Sequence, residues 1–474
     1  MASSTTGEEP PSSAVVPGAP PVLHRGGAKM IVGTGRDYRQ TSTPSKLRSP
    51  AMDYRLLASA CSGSFQSLES LLNAGEIPSS ADDEEAFLRD SLLGGVTVGG
   101  DTVLHAVATH GDDSAEDFLS KARLIHGKAP SLLSAKNDNG DTPLHCAARA
   151  GNFQMLSLLV DLAAQGQEDQ GRSHTPDNRG HGPRSATEED NSRATRAKAL
   201  LETENKSKWT VLHEAVRAGE NRVVKFLMDK DPELAGVPRD GGGTSPLYLA
   251  VLLGNKIIAE TLHQQSAAGA LSYSGPNGQN ALHAAVLRGQ ALTTMLLEWN
   301  NGLTGQQDET GSTPLHLAAS VREQRDRHTI RLLLLKANPN ALYQPDHEGS
   351  FPIHVAASVD ASQAVSDYIN NSPSCAGLRD ANGRTFLHVA ADKRQKWTVI
   401  FSACMYRSIS WILNMQDNDG NTVLHIAVQA ESLIMFCALF ANRHVDLNLT
   451  NGKGQTPLDI AGFNRAKGSL NFNQ

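Results

Sequence analysis

The chain has 474 residues, of which 39% are apolar and 20% are charged, and its formal net charge is −7. A chain of this length exceeds one compact core, so several domains or a repeat array is expected. The negative charge gives no reason to expect nucleic acid or an anionic membrane surface as a partner. The five cysteines are widely spaced without a CxxC pair, which indicates a reducing compartment rather than disulfides or zinc.

The N-terminal segment over 1–50 is rich in Ser, Pro, Gly and Thr, and we predict a disordered tail there. It has no basic stretch followed by an apolar run, so it is not a secretory signal. The longest apolar run, from Leu433 to Ala441, is about half of what a membrane-spanning helix needs. The sequence therefore predicts no direct membrane span in this chain.

Downstream of the tail, one phrase recurs in ten copies, among them GDTPLHCAA from Gly140 and GSTPLHLAA from Gly311. The histidine position of the phrase is occupied in turn by His105, His145, His213, Tyr248, His283, His316, His354, His388, His425 and Asp459. All but one of the intervals between these positions lie between 33 and 40 residues. Such regular spacing indicates a repeating structural unit.

Each position of the phrase predicts a physical role. The opening Gly suits a tight turn with positive φ, Thr caps a helix N-terminus, and Pro occupies the first helical position. Leu is then the first core residue, and His is interpreted as a structural hydrogen-bonding residue beside the helix start. We take two copies to represent this structural motif, namely Thr142, Pro143, Leu144 and His145, and Thr313, Pro314, Leu315 and His316.

A second apolar stretch at helical spacing follows each phrase, for example FQMLSLLVDL from Phe153. Joints rich in Gly, Asn and Asp, such as DNDG from Asp417, predict hairpin tips. The predicted fold is therefore all-α: a solenoid of paired antiparallel helices with projecting β-hairpins. Residues 52–75 lack the phrase but keep two short helix patterns, and we interpret them as a degenerate N-terminal cap.

The predicted domain organisation follows from where these patterns begin and end. Repeats are expected over 51–163 (the cap and two repeats) and over 197–465, with a short C-terminal tail over 466–474. The segment 164–196 lacks apolar residues almost entirely, so it predicts a disordered polar insertion between the two parts.

The phrase and its period resemble the ankyrin family over roughly residues 52–465. Two segments, ARLIHGKAPSLLSAKNDNGDTPLHCAARAGNFQMLSLLVDLA from Ala122 and WTVLHEAVRAGENRVVKFLMDKDPELA from Trp209, are similar to plant ankyrin proteins of the accelerated-cell-death type. That resemblance implies a cytosolic array joined to a C-terminal membrane domain with a Pro-Gly-Gly motif, and a role in defence signalling and salicylic-acid-linked cell death at the plasma membrane. No Pro-Gly-Gly motif follows the last phrase here.

Enzymatic interpretations find no support in the pattern. Eight of the 17 histidines lie one repeat apart in the phrase, so they do not converge on a metal. The Gly-rich run RDGGGTSP from Arg239 lacks the closing Gly-Lys-Ser/Thr of a phosphate loop, and no nucleophile elbow is present. We therefore expect a non-enzyme without catalytic residues, cofactor or metal. Four cysteines in helix patterns are expected in the core, namely Cys61, Cys146, Cys404 and Cys437.

Hairpin tips and first helices are the usual recognition surface of such arrays. The candidate partner-binding tips are Asp138, Asn139, Asp308, Asp346, Asp380, Asn382, Asp417 and Asp419. Their acidic and polar character favours a basic or hydrogen-bonding partner segment. The alternative is that turn formation alone accounts for these polar side chains.

Three functions remain open at this stage. The first is a cytoplasmic protein–protein interaction scaffold in plant defence or cell-death signalling, held at the inner face of the plasma membrane by full-length membrane-bound relatives. The second is a truncated form of a multi-pass membrane signalling or transport-type ankyrin protein. The third is a regulator that binds full-length copies through the exposed end of its unfinished last repeat.

Overall fold

The structure is a computed structural model that describes residues 51–73, 92–110, 116–165, 186–238, 242–267, 269–321, 326–392 and 407–466. Four predicted features lie wholly or partly outside the described residues. They are the N-terminal tail over 1–50, residues 166–185 of the polar insertion, Cys404, and residues 467–474 of the C-terminal tail. All described residues belong to one compact unit, Ser49–Gln474.

Each phrase forms a short helix, called here the first helix of its repeat. These helices are Val103–His110, Pro143–Arg149, Val211–Ala218, Pro246–Leu253, Ala281–Arg288, Pro314–Ser320, Pro352–Ser358, Phe386–Asp392, Val423–Gln429 and Pro457–Ala466. Pro143 and Pro314 stand at the first helical position, and extended Thr142 and Thr313 precede them as the N-cap residues. In these two copies Thr and Pro thus stand at the helix start.

A longer second helix runs beside most first helices. The second helices are Glu116–Lys128, Phe153–Gln165, Asn221–Lys230, Lys256–Gln265, Gln290–Trp299, Arg327–Ala337, Ser362–Asn371 and Leu433–Phe440. Short 3₁₀ helices lie at Pro130–Ser134, Pro232–Gly236, Pro276–Gly278, Asn301–Gly305, Pro339–Tyr343, Pro373–Gly377 and Arg407–Asn414. Two helices, Tyr54–Cys61 and Phe65–Asn73, occupy the predicted cap, and Ala186–Leu201 precedes the third phrase.

The core runs through the stack between first and second helices. Leu144 and Leu315 are buried, as are Ala147 and Ala318 two residues past the histidine. Neighbouring first helices pack side by side, and those with a described second helix also pack on it. The small alanine lets these short helices approach closely, so no repeat buries its apolar side chains without its neighbours.

The predicted hairpins are tight turns rather than strand pairs. Among the described residues the β-pairing consists of isolated bridges, such as Ser274 with Asn280 and Gln416 with Thr422. Successive tips are instead joined to one another by backbone hydrogen bonds. The N–H of His347 donates to the carbonyl oxygen of Thr310 at 3.0 Å, and the N–H of Asn418 donates to that of Asn382 at 3.0 Å. The tips therefore form a ladder along the array.

Two sequence expectations differ from the structure. The helix Ala186–Leu201 begins inside the predicted disordered insertion 164–196, because this stretch is rich in Ala, Glu, Arg, Lys and Leu, which favour helix despite low hydropathy. The sequence predicts Cys437 in the core, but it is exposed, while Cys146 is buried and Cys61 half-buried. The helix Leu433–Phe440 is apolar all round, so its sequence pattern does not reveal which side faces the core.

Candidate protein-interaction surface

The residue that opens each hairpin tip holds the turn together. The Asp308 carboxylate accepts the backbone N–H groups of Thr310 at 2.8 Å and Ser312 at 2.9 Å. The same pair of bonds recurs at Asp346, Asp380, Asp417, Asn137, Asn205 and Asn451. These side chains satisfy backbone donors that the turn would otherwise leave unpaired.

The two residues just before the turn glycine are the exposed ones. Of the predicted tip residues, Asp138, Asn139, Asn382 and Asp419 occupy these positions, whereas Asp308, Asp346, Asp380 and Asp417 occupy the turn-holding position. Glu309, Glu348 and Asn418 are also exposed tip residues, and the sequence reasoning missed them. What identifies them in the sequence is their separation from the turn glycine, because they are the one or two residues just before it. The positive φ of that glycine marks the end of the turn.

The first helices present one further surface, called here the inner face. In the helix Pro314–Ser320 almost every residue is buried, but Leu317, Ser320 and the following Val321 are partly exposed. Residues at i, i+3 and i+4 share one side of a helix. The inner face of each repeat therefore consists of the residues one, four and five positions after the phrase histidine.

The inner face carries a charged network in its N-terminal part. The guanidinium group of Arg149 lies 2.5 Å from Asp141 and 2.9 Å from Glu214, and that of Arg217 lies 2.5 Å from Glu214. Burial by itself raises the pKa of Asp141, but hydrogen bonds from Arg149 and Asn205 outweigh it and lower that pKa. Glu214 is thus held between two arginines whose own side chains remain exposed.

The inner face turns apolar further along the array. Leu253 is 47% exposed, Leu287 43% and Val359 36%. Half-buried apolar side chains continue this surface between them, namely Leu252, Leu317, Val321 and Val355. Rows of partly exposed apolar residues beside polar ones are typical of protein-interaction sites.

The phrase histidines join one repeat to the next. Nε2–H of His316 donates to the carbonyl oxygen of Ser350 in the following repeat at 3.1 Å, and Nδ1 accepts from the N–H of Thr313 at 3.1 Å. Burial lowers the pKa of this imidazole, so the ring stays neutral. The other phrase histidines make the same carbonyl bond, namely His105, His145, His213, His283, His354, His388 and His425. These eight side chains therefore lie at the junctions between repeats.

Two other clusters draw attention but have structural explanations. Glu202, Asp231 and Glu233 bring three carboxylates together, and Lys198 Nζ lies among them, 2.7 Å from Glu233 and 3.4 Å from Asp231. The lysine ammonium therefore acts as the cation of this group. Burial raises the pKa of the Cys146 thiol to about 11, which leaves it protonated and unreactive at neutral pH.

Models of known families match most of this repeat region. A model of ankyrin repeats in three copies matches residues 55–170 and 186–271, one of many copies matches 406–461, and one of a single repeat matches 310–343. The chain belongs to the ankyrin-repeat family. Ankyrin-repeat proteins are typically interaction scaffolds without enzymatic activity, and their partners are other proteins.

Curated ankyrin-containing relatives share a limited part of this protein. Neurogenic locus notch homolog protein 1 of Cricetulus griseus is 35% identical over 111 residues, and the Neurogenic locus Notch protein of Drosophila melanogaster is 33% identical over 100 residues. These matches cover 23% and 21% of this chain, and the chain covers 4% of the length of each relative. The ankyrin domain of Bcl-3, described as a member of the IkappaB family, matches with 25% identity and a TM-score of 0.40, over 53% of this chain and 95% of that domain.

Within the described part of this ankyrin-repeat protein, no helix combines the length and the apolar character needed to cross a membrane. Leu144 and Leu315 lie in the core, and His145 and His316 lie at repeat junctions. The structural motif is therefore distinct from the exposed surface. The tips and the inner face are two exposed surfaces of the described repeats.

Proposed function

We propose that this ankyrin-repeat scaffold binds its protein partners through the inner face and the adjacent hairpin tips. The observation that carries the proposal is the exposure of Leu253, Leu287 and Val359 on one side of the first helices. Complete burial of a fully exposed side chain of this size contributes roughly 1.5–3 kcal/mol. A partner that covers this row gains the part of that free energy that belongs to the surface still exposed. The tips supply polar contacts at the edge of the same surface.

The biological setting that we propose is plant defence or cell-death signalling in the cytoplasm, at the inner face of the plasma membrane. The similarity of the segments beginning at Ala122 and Trp209 to plant proteins of the accelerated-cell-death type supports this proposal. Full-length membrane-bound relatives of that type are then among the proposed partners.

Proximity labelling in plant cells, followed by separation of soluble and membrane fractions, tests both levels of the proposal. The wild-type chain is compared with a variant carrying Leu253→Asp, Leu287→Asp and Val359→Asp. A matched control carries Ile257→Asp, since Ile257 is 63% exposed on a second helix away from the inner face. We expect the triple variant to lose most labelled partners and the control to keep them.

The identity of the labelled proteins tests the proposed setting in plant defence or cell-death signalling at the plasma membrane. Defence signalling components among the partners support the proposed setting, and their absence contradicts it. Recovery in the membrane fraction together with a longer ankyrin relative supports the membrane-associated function. Equal labelling by all three forms would show that the inner face is not the binding surface.

A further inference from the structure

An acidic strip borders the apolar part of the inner face. Glu309 and Glu348 are exposed at neighbouring tips, and the half-buried carboxylates of Asp308 and Asp346 lie at the base of the same tips. The N–H of His347 bonds to the carbonyl oxygen of Thr310, and the Gln307 side chain donates to the carbonyl oxygen of Pro345 at 2.8 Å. These bonds fix the two tips side by side, so their negative charges act on the same small region.

Among the described residues, few basic side chains lie close to these two tips. The sequence contains no Lys or Arg from 289 to 321 or from 337 to 378. Arg384 at the next tip is already paired with Asp380 at 2.8 Å. Arg288 is exposed on the inner face beside Leu287, at the end of its first helix that is opposite the tips. The strip therefore keeps a net negative potential that favours a cationic partner.

Turn formation explains Asp308 and Asp346 but not the two glutamates. The turns use the backbone N–H groups of Glu309 and Glu348, which bond to Asn277 and Asp346 respectively. The glutamate carboxylates are thus extra charges at positions that any residue with the same backbone conformation can occupy. Their coincidence with the apolar row is a property of the surface and not of the turns.

The strip and the apolar row lie within reach of one ligand element. Each tip leads directly into the N-terminus of its first helix, and inner-face residues such as Leu317 and Val355 lie further along that same helix. These helices of seven residues are about 10 Å long at 1.5 Å per residue. A partner helix is roughly 10–12 Å wide, so one laid across neighbouring first helices touches both. Leu287 and Val359 would then cover its apolar side, and Glu309 and Glu348 would meet its flank.

We propose that this part of the surface binds an amphipathic basic segment of a partner protein, with leucine-like residues on one side and Lys or Arg on the other. This inference rests on the proposed scaffold function and narrows its partner class. The apolar row provides most of the contact area, while the tip carboxylates select the charge of the partner and its direction along the array.

Fluorescence anisotropy with synthetic peptides on the full chain tests the proposal. The probe is a labelled amphipathic helical peptide of leucine and lysine, about 18 residues or five turns long. One comparison peptide replaces every lysine by glutamate, and a second has the same composition in scrambled order. We expect binding of the amphipathic lysine peptide alone, with an affinity that falls as salt is raised.

Two pairs of variants assign the binding to this surface. Glu309→Lys with Glu348→Lys reverses the strip, and Leu287→Asp with Val359→Asp breaks the apolar row. Glu298→Lys and Ile257→Asp are the matched controls, both exposed on second helices. We expect each test pair to weaken binding about tenfold or more and the controls to change it less than about twofold, with helical circular dichroism unchanged throughout.

The outcomes separate this inference from the scaffold proposal. Equal binding of the lysine and glutamate peptides, or undiminished binding by both test pairs, overturns the basic-segment inference. If no peptide binds although the Leu253, Leu287 and Val359 triple variant loses its cellular partners, the inference falls while the scaffold function stands. If those cellular partners are also retained, both fall.

Discussion

At the scale of single residues, the phrase histidine forms hydrogen bonds both within its own repeat and to the next repeat. His316 closes the start of its own helix through Thr313 and reaches the carbonyl oxygen of Ser350 in the next repeat. Because both partners are buried or half-buried, the imidazole supplies hydrogen bonds that water cannot replace there. A residue that looks like a candidate for catalysis is therefore part of the packing between repeats.

Replacing this histidine should weaken the junction. We expect His316→Leu to lower the free energy of unfolding by about 2–4 kcal/mol, since it leaves the Thr313 N–H and the Ser350 carbonyl without their partner. Urea denaturation followed by circular dichroism measures the loss. His347→Leu, at an exposed tip, is the control and should change stability by less than about 0.5 kcal/mol.

Residue-level prediction from sequence succeeds where the chemistry of one position repeats. The roles of Thr, Pro, Leu and His in the phrase are predictable because each has a local requirement visible in the sequence. The tip residues are harder, since Asp308 and Asp419 look alike in the sequence. Asp308 bonds its own turn and Asp419 is exposed, and only their distance from the turn glycine distinguishes them.

At the scale of the structural element, two turn glycines distinguish a steric clash between neighbouring tips from the cost of a left-handed backbone. Gly311 has φ of +80°, and a Cβ there would lie 2.6 Å from the backbone nitrogen of His347. Gly454 has φ of +70°, and a Cβ there would have nothing within 4 Å. Both positions disfavour a side chain through their backbone, but only Gly311 touches the neighbouring tip.

Alanine at these two glycines should therefore have unequal effects. We expect Gly454→Ala to cost about 1–2 kcal/mol from the left-handed backbone alone, and Gly311→Ala to cost at least about 1 kcal/mol more. Hydrogen exchange at the His347 amide should also rise in Gly311→Ala, because its bond to Thr310 is displaced. If both variants lost the same free energy of unfolding, the neighbouring tip would be shown to move away from the added methyl group at no energetic cost.

The second helices Arg327–Ala337 and Ser362–Asn371 are linked by a buried ion pair. The Nε of Arg331 lies 2.7 Å from Asp367, and the two side chains are 0% and 2% exposed. The Asp367 carboxylate also accepts from Gln363 at 3.0 Å. Removing one member of such a pair takes a charged hydrogen bond away from a side chain that stays buried, which is the costly case.

We expect Asp367→Asn to lower the free energy of unfolding by about 3–5 kcal/mol. The double variant Arg331→Met with Asp367→Leu should recover much of that loss, because it removes both charges and keeps apolar volume. Glu260→Gln, which disturbs the exposed pair with Lys256 at 3.5 Å, is the control and should cost less than about 1 kcal/mol. Thermal and urea midpoints of the four proteins provide the comparison.

At the scale of the whole molecule, the eight junction histidines act together on pH dependence. Burial lowers the pKa of each below its ordinary value of 6.5, and that of His213 to about 4. At pH values between the lowered pKa of the folded protein and 6.5, these histidines bind more protons in the unfolded chain than in the folded one. Stability is therefore fully present above about pH 6.5 and is lost as the pH falls toward the folded pKa values.

We expect the urea midpoint to fall markedly between pH 7.5 and pH 5. For His213 alone the shift corresponds to roughly 3 kcal/mol when the folded pKa has been passed. The lowered pKa of Asp141 acts in the same direction but only below its ordinary value of 3.8, outside this window. A midpoint that stays constant over the window would contradict the neutral, buried state assigned to these rings.

The architecture is predictable from the sequence because the same phrase, with the same local structural requirements, recurs in each repeat. The interaction surface is less so, since Leu253, Leu287 and Val359 become neighbours only when successive first helices pack side by side. A helix with apolar residues on every side, such as Leu433–Phe440, likewise gives no information on its orientation. The periodic pattern therefore predicts the helices and their order, but it does not predict which side chains remain exposed once neighbouring repeats are in contact.

The histidine junction has a consequence for how such a gene can lengthen. Eight of the ten units carry the imidazole that reaches forward, and a unit such as that of His316 also carries, just before its own helix, the carbonyl group that receives the imidazole of the unit behind it. A tandem duplication of one unit therefore copies donor and acceptor together, and the new boundary is complete at the moment it arises. Growth or loss of such units therefore needs no compensating substitution at the histidine junction.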